Sequence, residues 1–214
     1  MITEFIHSIS IPSEFEEGRK YSVIYALHGR GGNETDIASL LQELKEDFVI
    51  IGIRGSLSLS AGYEYFTIKS IGNPDENSFD LAMASLENFI HEAPKAYPID
   101  PSRQFLLGFS QGAILSMTLS LKMGSLIRGI AVLNGYIPKH FKEHYSEKSV
   151  KDSAVFIAHG EKDQIFPIHI GQENFDYFKA RAEDVTYKSY PIGHSVSQEE
   201  KDEVQAWLKL KLLE

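Results

Sequence analysis

The stretch Gln104-Phe-Leu-Leu-Gly-Phe-Ser-Gln-Gly-Ala-Ile-Leu-Ser-Met117 decides the fold of this chain. Its first four residues read as a buried strand. Gln111 to Met123 then runs almost wholly apolar until Gly124 offers a helix stop. Between strand and helix lies Gly108-Phe109-Ser110-Gln111-Gly112. A serine on so sharp a strand-to-helix turn projects where side chains crowd, and glycines on either side relieve the crowding. The helix that starts behind it presents free N–H groups and a positive dipole end, an arrangement suited to a developing oxyanion.

Outward from this turn the same alternation repeats. Apolar runs at Tyr21 to Leu27, Phe48 to Ile53, Ile127 to Leu133, Ala154 to Ala158 and Val185 to Tyr190 read as further strands, and Ile2 to Ile11 as an edge strand. Phe79, Ala82, Met83, Leu86, Phe89 and Ile90 recur at the three-and-four spacing of an amphipathic helix. A last helix is expected from about Ser197, where Ser-Gln-Glu-Glu forms a capping box. Strands alternating with crossover helices predict an α/β protein with a mostly parallel sheet. Its 214 residues suit a single domain, 1–214. Two stretches, 56–77 and 136–149, fit neither period and are long for loops, which are then functional or disordered. Their aromatic residues, Tyr63, Tyr65 and Phe66 in the first and Tyr136, Phe141 and Tyr145 in the second, either line a pocket or cover an exposed sheet end.

Composition narrows the chemistry. A net charge of -9 disfavours binding to a phosphate backbone, so no nucleic-acid partner is expected. The absence of cysteine removes disulfides, thiolate metal sites and a thiol nucleophile, and with the last a dienelactone-hydrolase-like reading. The N-terminus lacks the basic start and apolar run of a signal peptide, and no stretch approaches the length of a membrane span. These features predict a soluble, cytoplasmic protein without stable membrane insertion.

A serine hydroxyl needs a base to take its proton and a third group to orient that base. In a sheet of this kind both follow the serine in sequence, on loops after later strands. His194, directly beyond the last strand and before the last helix, is placed for the base, whereas His140 and His144 read as solvated and His159 and His169 as structural. Asp163, a few residues beyond the penultimate strand, is favoured for the acid. Glu161 competes with a longer side chain, and Asp152 falls before the strand. For the oxyanion, Gln111 supplies one backbone N–H by position. The glycine-rich loop His28-Gly-Arg-Gly-Gly-Asn33 supplies a second, from Arg30. That loop lacks the ending of a phosphate-binding loop.

With these segments placed, the chain resembles the phospholipase/carboxylesterase family of small α/β-hydrolases, which includes bacterial carboxylesterases and acyl-protein thioesterases. The resemblance rests on HGRGGN at 28–33, GYEYF at 62–66, GFSQG at 108–112, HGEKDQIFP at 159–167 and GH at 193–194. It implies the α/β-hydrolase fold with helices on both faces of the sheet, Ser110, Asp163 and His194 as catalytic residues, Arg30 and Gln111 as the oxyanion hole, and no metal or organic cofactor. Members often dimerise, so a homodimer is possible here. The family often has Leu where Arg30 stands and Trp where Tyr65 stands, which predicts a more polar rim and a shorter acyl chain. The expected activity is hydrolysis of a small-molecule ester of short to medium acyl chain, with Tyr65, Phe66 and Phe166 as candidate substrate contacts. Thioester or lysophospholipid hydrolysis on the same triad, and a non-catalytic binding role, are the rivals.

Overall fold

The structure, a computed structural model, describes residues 5–14 and 16–213. Seven strands make the central sheet: β1 (His7–Ser10), β2 (Tyr21–Leu27), β3 (Val49–Ile53), then, past the two short hairpins described below, β8 (Ile99–Phe109), β9 (Ile127–Leu133), β10 (Ala154–Gly160) and β11 (Asp184–Tyr190). Their spatial order is β1-β3-β2-β8-β9-β10-β11. Every neighbouring pair is parallel except β1 with β3. The expected edge strand is found at β1, and the part of that reading on residues 2–4 lies outside the described residues.

The helices are α1 (Glu34–Ser39), α2 (Glu76–Ala96), α3 (Gln111–Met123), α4 (Lys139–His144), α5 (Ile168–Lys179) and α6 (Gln198–Leu213). Both faces of the sheet are covered because the strands are apolar at successive positions, not only at alternate ones. Val23, Tyr25 and Leu27 of β2 pack with α2, α3 and α5 on one face. Ile24 and Ala26 of the same strand pack with Ile37 of α1 and Val204, Trp207 and Leu208 of α6 on the other. α3 ends where Gly124 adopts φ 63°. The capping box of α6 is present: the Ser197 hydroxyl accepts from the Glu200 N–H at 3.1 Å, and the Glu200 carboxylate accepts from the Ser197 N–H at 3.4 Å.

The stretch 56–77 is neither loop nor disordered. It contains two hairpins, β4 (Leu57–Leu59) with β5 (Gly62–Glu64) and β6 (Ile68–Ser70) with β7 (Asn73–Pro74), and the first turn of α2. The chain leaves β2 toward β3 on one side and reaches β8 on the other. The order of strands therefore reverses at the C-terminal ends of β2 and β8, where open parallel sheets form clefts. No helix of the described residues is long and apolar enough to cross a membrane.

Candidate active site

Ser110 stands between β8 and α3 at φ 52° and ψ -113°, a conformation that strains an L-residue. The strain is held from several sides. The Ser110 N–H donates to the Leu133 carbonyl at 2.9 Å, and the Ser110 carbonyl accepts from the Ile114 N–H at 3.0 Å. A Cβ at Gly108 would overlap the Gly112 carbonyl, and one at Gly112 would overlap the Leu27 carbonyl of β2. The two glycines are thus required by close backbone approach, which lets α3 begin directly against the strands.

Three side chains from three strand ends meet in a hydrogen-bonded line. Ser110 Oγ lies 2.8 Å from His194 Nε2, and His194 Nδ1 lies 2.7 Å from Asp163 Oδ2. Because a carboxylate only accepts, Nδ1 carries the proton and Nε2 is free to accept from the serine hydroxyl. The other carboxylate oxygen of Asp163 accepts from the N–H groups of Ile165 and Phe166 at 2.8 and 2.9 Å. The acid is thereby fixed in a turn of its own loop, and its side chain is fully buried. The ring of His194 sits between Phe109 and Phe166, with centroids 5.1 and 5.2 Å away.

The competing groups are elsewhere. Glu161 is exposed and accepts from the Ser189 hydroxyl, and Asp152 precedes β10. His159 is buried at the end of β10, where it donates Nε2–H to the Phe166 carbonyl at 2.7 Å; burial holds its pKa below the usual imidazole value. His169 lies in the first turn of α5 and His144 is exposed. His140 departs from the expectation of a solvated side chain. It is half-buried edge-on against Phe79, with Nε2 shut away from solvent.

The glycine-rich loop after β2 is braced on every side. Gly31 N–H donates to the Tyr63 carbonyl at 2.8 Å, and Tyr63 N–H donates to the Gly32 carbonyl at 3.0 Å, so β5 holds the loop in place. Glu34 and Arg54 form a two-point ion pair, and the Arg54 guanidinium also lies over the Tyr63 ring at 4.5 Å. His28, buried beneath, accepts from Gly55 N–H at Nε2 and donates Nδ1–H to the Gly29 carbonyl; burial depresses its pKa. Within this frame the Arg30 N–H has no backbone acceptor among the described residues. Gln111, as the first residue of α3, has no intrahelical acceptor for its own N–H. Its side chain bridges to the neighbouring segment, accepting from Tyr65 N–H at 3.1 Å and donating to the Phe66 carbonyl at 2.7 Å.

A cavity of about 290 Å³ opens in front of Ser110 and His194, walled by Phe66, Ile68, Ile71, Phe109, Ile114, Tyr136, Ile165 and Phe166, with Arg30 at its side. Of the candidate substrate contacts, Phe66 and Phe166 lie on this wall. Tyr65 does not. It is buried away from the cavity, where its hydroxyl donates to the Ile53 carbonyl at 2.6 Å and accepts from His28 N–H at 3.1 Å. The chain bends at Tyr65 and Phe66, just past β5, and the two side chains part there: Phe66 faces the cavity while Tyr65 ties the glycine-rich loop to β3.

Of the second aromatic stretch, Tyr136 lines the cavity, whereas Phe141 is in the core and stacks on Tyr145. Asn134 escaped the sequence reading. At φ 54° it accepts from Gly160 N–H and donates to the Ser195 carbonyl, linking the end of β9 to the loops of both Asp163 and His194. The Asn-Gly pair after a strand was the available signal. Among the described residues no group of three or more His, Asp or Glu side chains is placed to hold a metal ion.

A family model described as phospholipase/carboxylesterase matches residues 16–212. An acyl-protein thioesterase 1 of Gibberella zeae is 32% identical over 69% of this chain and 68% of its own length. Another, of Kluyveromyces lactis, is 26% identical over 97% of this chain and 98% of its own length. The Bacillus cereus carboxylesterase superposes with a TM-score of 0.84 over 98% of this chain and 95% of that one at 22% identity, which establishes likeness of fold.

Proposed function

Because the chain belongs to the phospholipase/carboxylesterase family and is a hydrolase of the carboxylesterase type, we propose that it cleaves carboxylic esters of short to medium acyl chain through Ser110, His194 and Asp163. The observation that carries this reading is the continuous line from Ser110 Oγ through both ring nitrogens of His194 to Asp163 Oδ2.

In the proposed reaction His194 Nε2 accepts the Ser110 proton as Oγ attacks the ester carbonyl. The carbonyl oxygen becomes an oxyanion, which receives hydrogen bonds from the backbone N–H groups of Arg30 and Gln111. Asp163 holds the imidazole in the required tautomer and balances the imidazolium while it exists. The imidazolium then protonates the departing alcohol. A water deprotonated at Nε2 cleaves the acyl-enzyme by the same route. The apolar wall that Phe66, Ile114 and Tyr136 give the cavity beside Ser110 supports an apolar acyl group. A thioester presents the same carbonyl to the same groups, so acyl-protein or small thioesters are the second reading, favoured by the relatives named acyl-protein thioesterase.

The test is labelling by a fluorophosphonate together with turnover of p-nitrophenyl acetate. Both are expected in the native protein and both lost in Ser110→Ala. Labelling that persists in the variant rejects Ser110. A matched series of esters and thioesters from two to twelve carbons, compared by kcat/KM, separates the two readings.

A further inference from the structure

We infer that the side chain of Arg30 selects substrates bearing a carboxylate, so that the preferred ester carries a negative charge beside the apolar group in the cleft. This rests on the ester-hydrolase reading above and adds a substrate class to it. Arg30 lies on the wall of the cavity in front of Ser110 and also on that of a second cavity of about 310 Å³. The second shares Phe109 with the first and is bordered by Ile37, Leu40 and Val196. The residue therefore borders both the cavity before Ser110 and the one beside it.

Its guanidinium is positioned but not consumed. Nε donates to Glu64 at 2.7 Å, and Glu64 is almost fully buried in β5, whereas the Arg30 side chain is 45% exposed. A two-point pairing would have occupied the fork, as Glu34 does for Arg54. Here the only contact is through Nε, and both Nη groups have no partner among the described residues. Four N–H donors in a plane thus remain, the geometry that takes up a carboxylate.

The charge around it is consistent with that use. The cavity before Ser110 has no acidic side chain on its wall, and Arg30 is the one Arg or Lys there. Asp36 borders the second cavity, but it lies outside ion-pair distance of Arg30. A single guanidinium matches a monoanion better than a phosphate dianion, which needs more than one cation to offset its desolvation. The chain as a whole carries -9 and repels anions, so a guanidinium held by Glu64 with its Nη donors open at this spot serves a local purpose.

The experiment compares isosteric pairs that differ only in charge. On the acyl side the pair is the p-nitrophenyl monoester of glutaric acid against its terminal amide, and on the alcohol side 4-acetoxybenzoate against 4-acetoxybenzamide. The native enzyme is expected to favour the carboxylate of at least one pair by about tenfold in kcat/KM, the value of one charge-assisted hydrogen bond. Arg30→Leu should bring that ratio to about one, and Arg30→Lys should keep part of it. Binding of the same pairs to Ser110→Ala protein, with and without Arg30→Leu, is measured by calorimetry in parallel. Equal binding of carboxylate and amide in Ser110→Ala, or a preference that survives Arg30→Leu, overturns the inference whatever the turnover. Absence of turnover and labelling in the native enzyme instead overturns the catalytic reading, and the binding ratio still decides the role of Arg30.

Discussion

Asp163 has two duties that a single atom change separates. One carboxylate oxygen holds the turn through the N–H groups of Ile165 and Phe166, and the other faces His194 Nδ1. In Asp163→Asn the amide oxygen still accepts from the turn, but its NH₂ then points at Nδ1 and drives the imidazole proton to Nε2. The hydroxyl of Ser110 loses its acceptor. We expect kcat to fall by about 10⁴ with little change in the urea unfolding midpoint; equal losses of rate and stability would argue that the turn had collapsed. Gln111 divides differently, because its backbone faces the cleft and its side chain binds the backbone of Tyr65 and Phe66. Gln111→Ala leaves one buried N–H and one buried carbonyl unpaired and should destabilise the fold by about 2 kcal/mol. KM should rise as Phe66 loosens. Urea denaturation and steady-state kinetics check the two effects separately.

At the scale of the element, α3 and α6 illustrate opposite kinds of local design. α3 is apolar on almost every face, so it carries no amphipathic stripe, yet Gln111 to Met123 was readable because its apolar run continues until Gly124 stops it. Gly112→Ala drives a methyl into the Leu27 carbonyl and should destabilise by about 3 kcal/mol or prevent folding, seen as loss of soluble protein or of the thermal transition.

α6 carries a buried acid instead. Burial raises the pKa of Glu200 to about 7 from an ordinary 4.5, and one of its oxygens has no hydrogen-bond partner. Between those values the folded chain holds a proton that the unfolded chain has released, so stability falls as pH rises through this window. Glu200→Gln keeps the capping acceptor without the charge. It should therefore stabilise by about 2 kcal/mol at pH 8 and make no difference near pH 4.5, as read from paired denaturation curves.

The strands and long helices were legible because each needs a periodic apolar pattern. The hairpins of 56–77 were not, since strands of two or three residues are too short to show a period, and their register is set by the Gly31–Tyr63 and Gly32–Tyr63 bonds to a distant loop. Of the site, the serine, histidine and acid were readable from order along the chain. The burial of Tyr65 and the linkage through Asn134 depend on contacts that no single segment contains.

Across the whole molecule, two imidazoles shut inside the fold oppose Glu200 in their pH response. His28 and His159 are kept neutral by burial, whereas in the unfolded chain each takes up a proton below about pH 6.5. The unfolded state then binds more protons, and stability falls as pH drops through that range. In the native chain the rising contribution from Glu200 masks this loss. A Glu200→Gln background should expose it as a decline in denaturation free energy between pH 7 and 5; a flat profile there would contradict the assignment of both histidines as neutral.

The position of His194 has a separate consequence. It follows β11, which borders the sheet and is paired on one side by β10 alone, with Lys188 and Ser189 exposed. Margins of a sheet detach with less work than its centre. The proposed base thus rides on a border strand, while the proposed nucleophile sits at the end of an interior one. Warming should therefore silence the enzyme reversibly a few degrees before the scaffold melts. The catalyst then works as its own thermal fuse, tripped at the rim while the rest of the body stands.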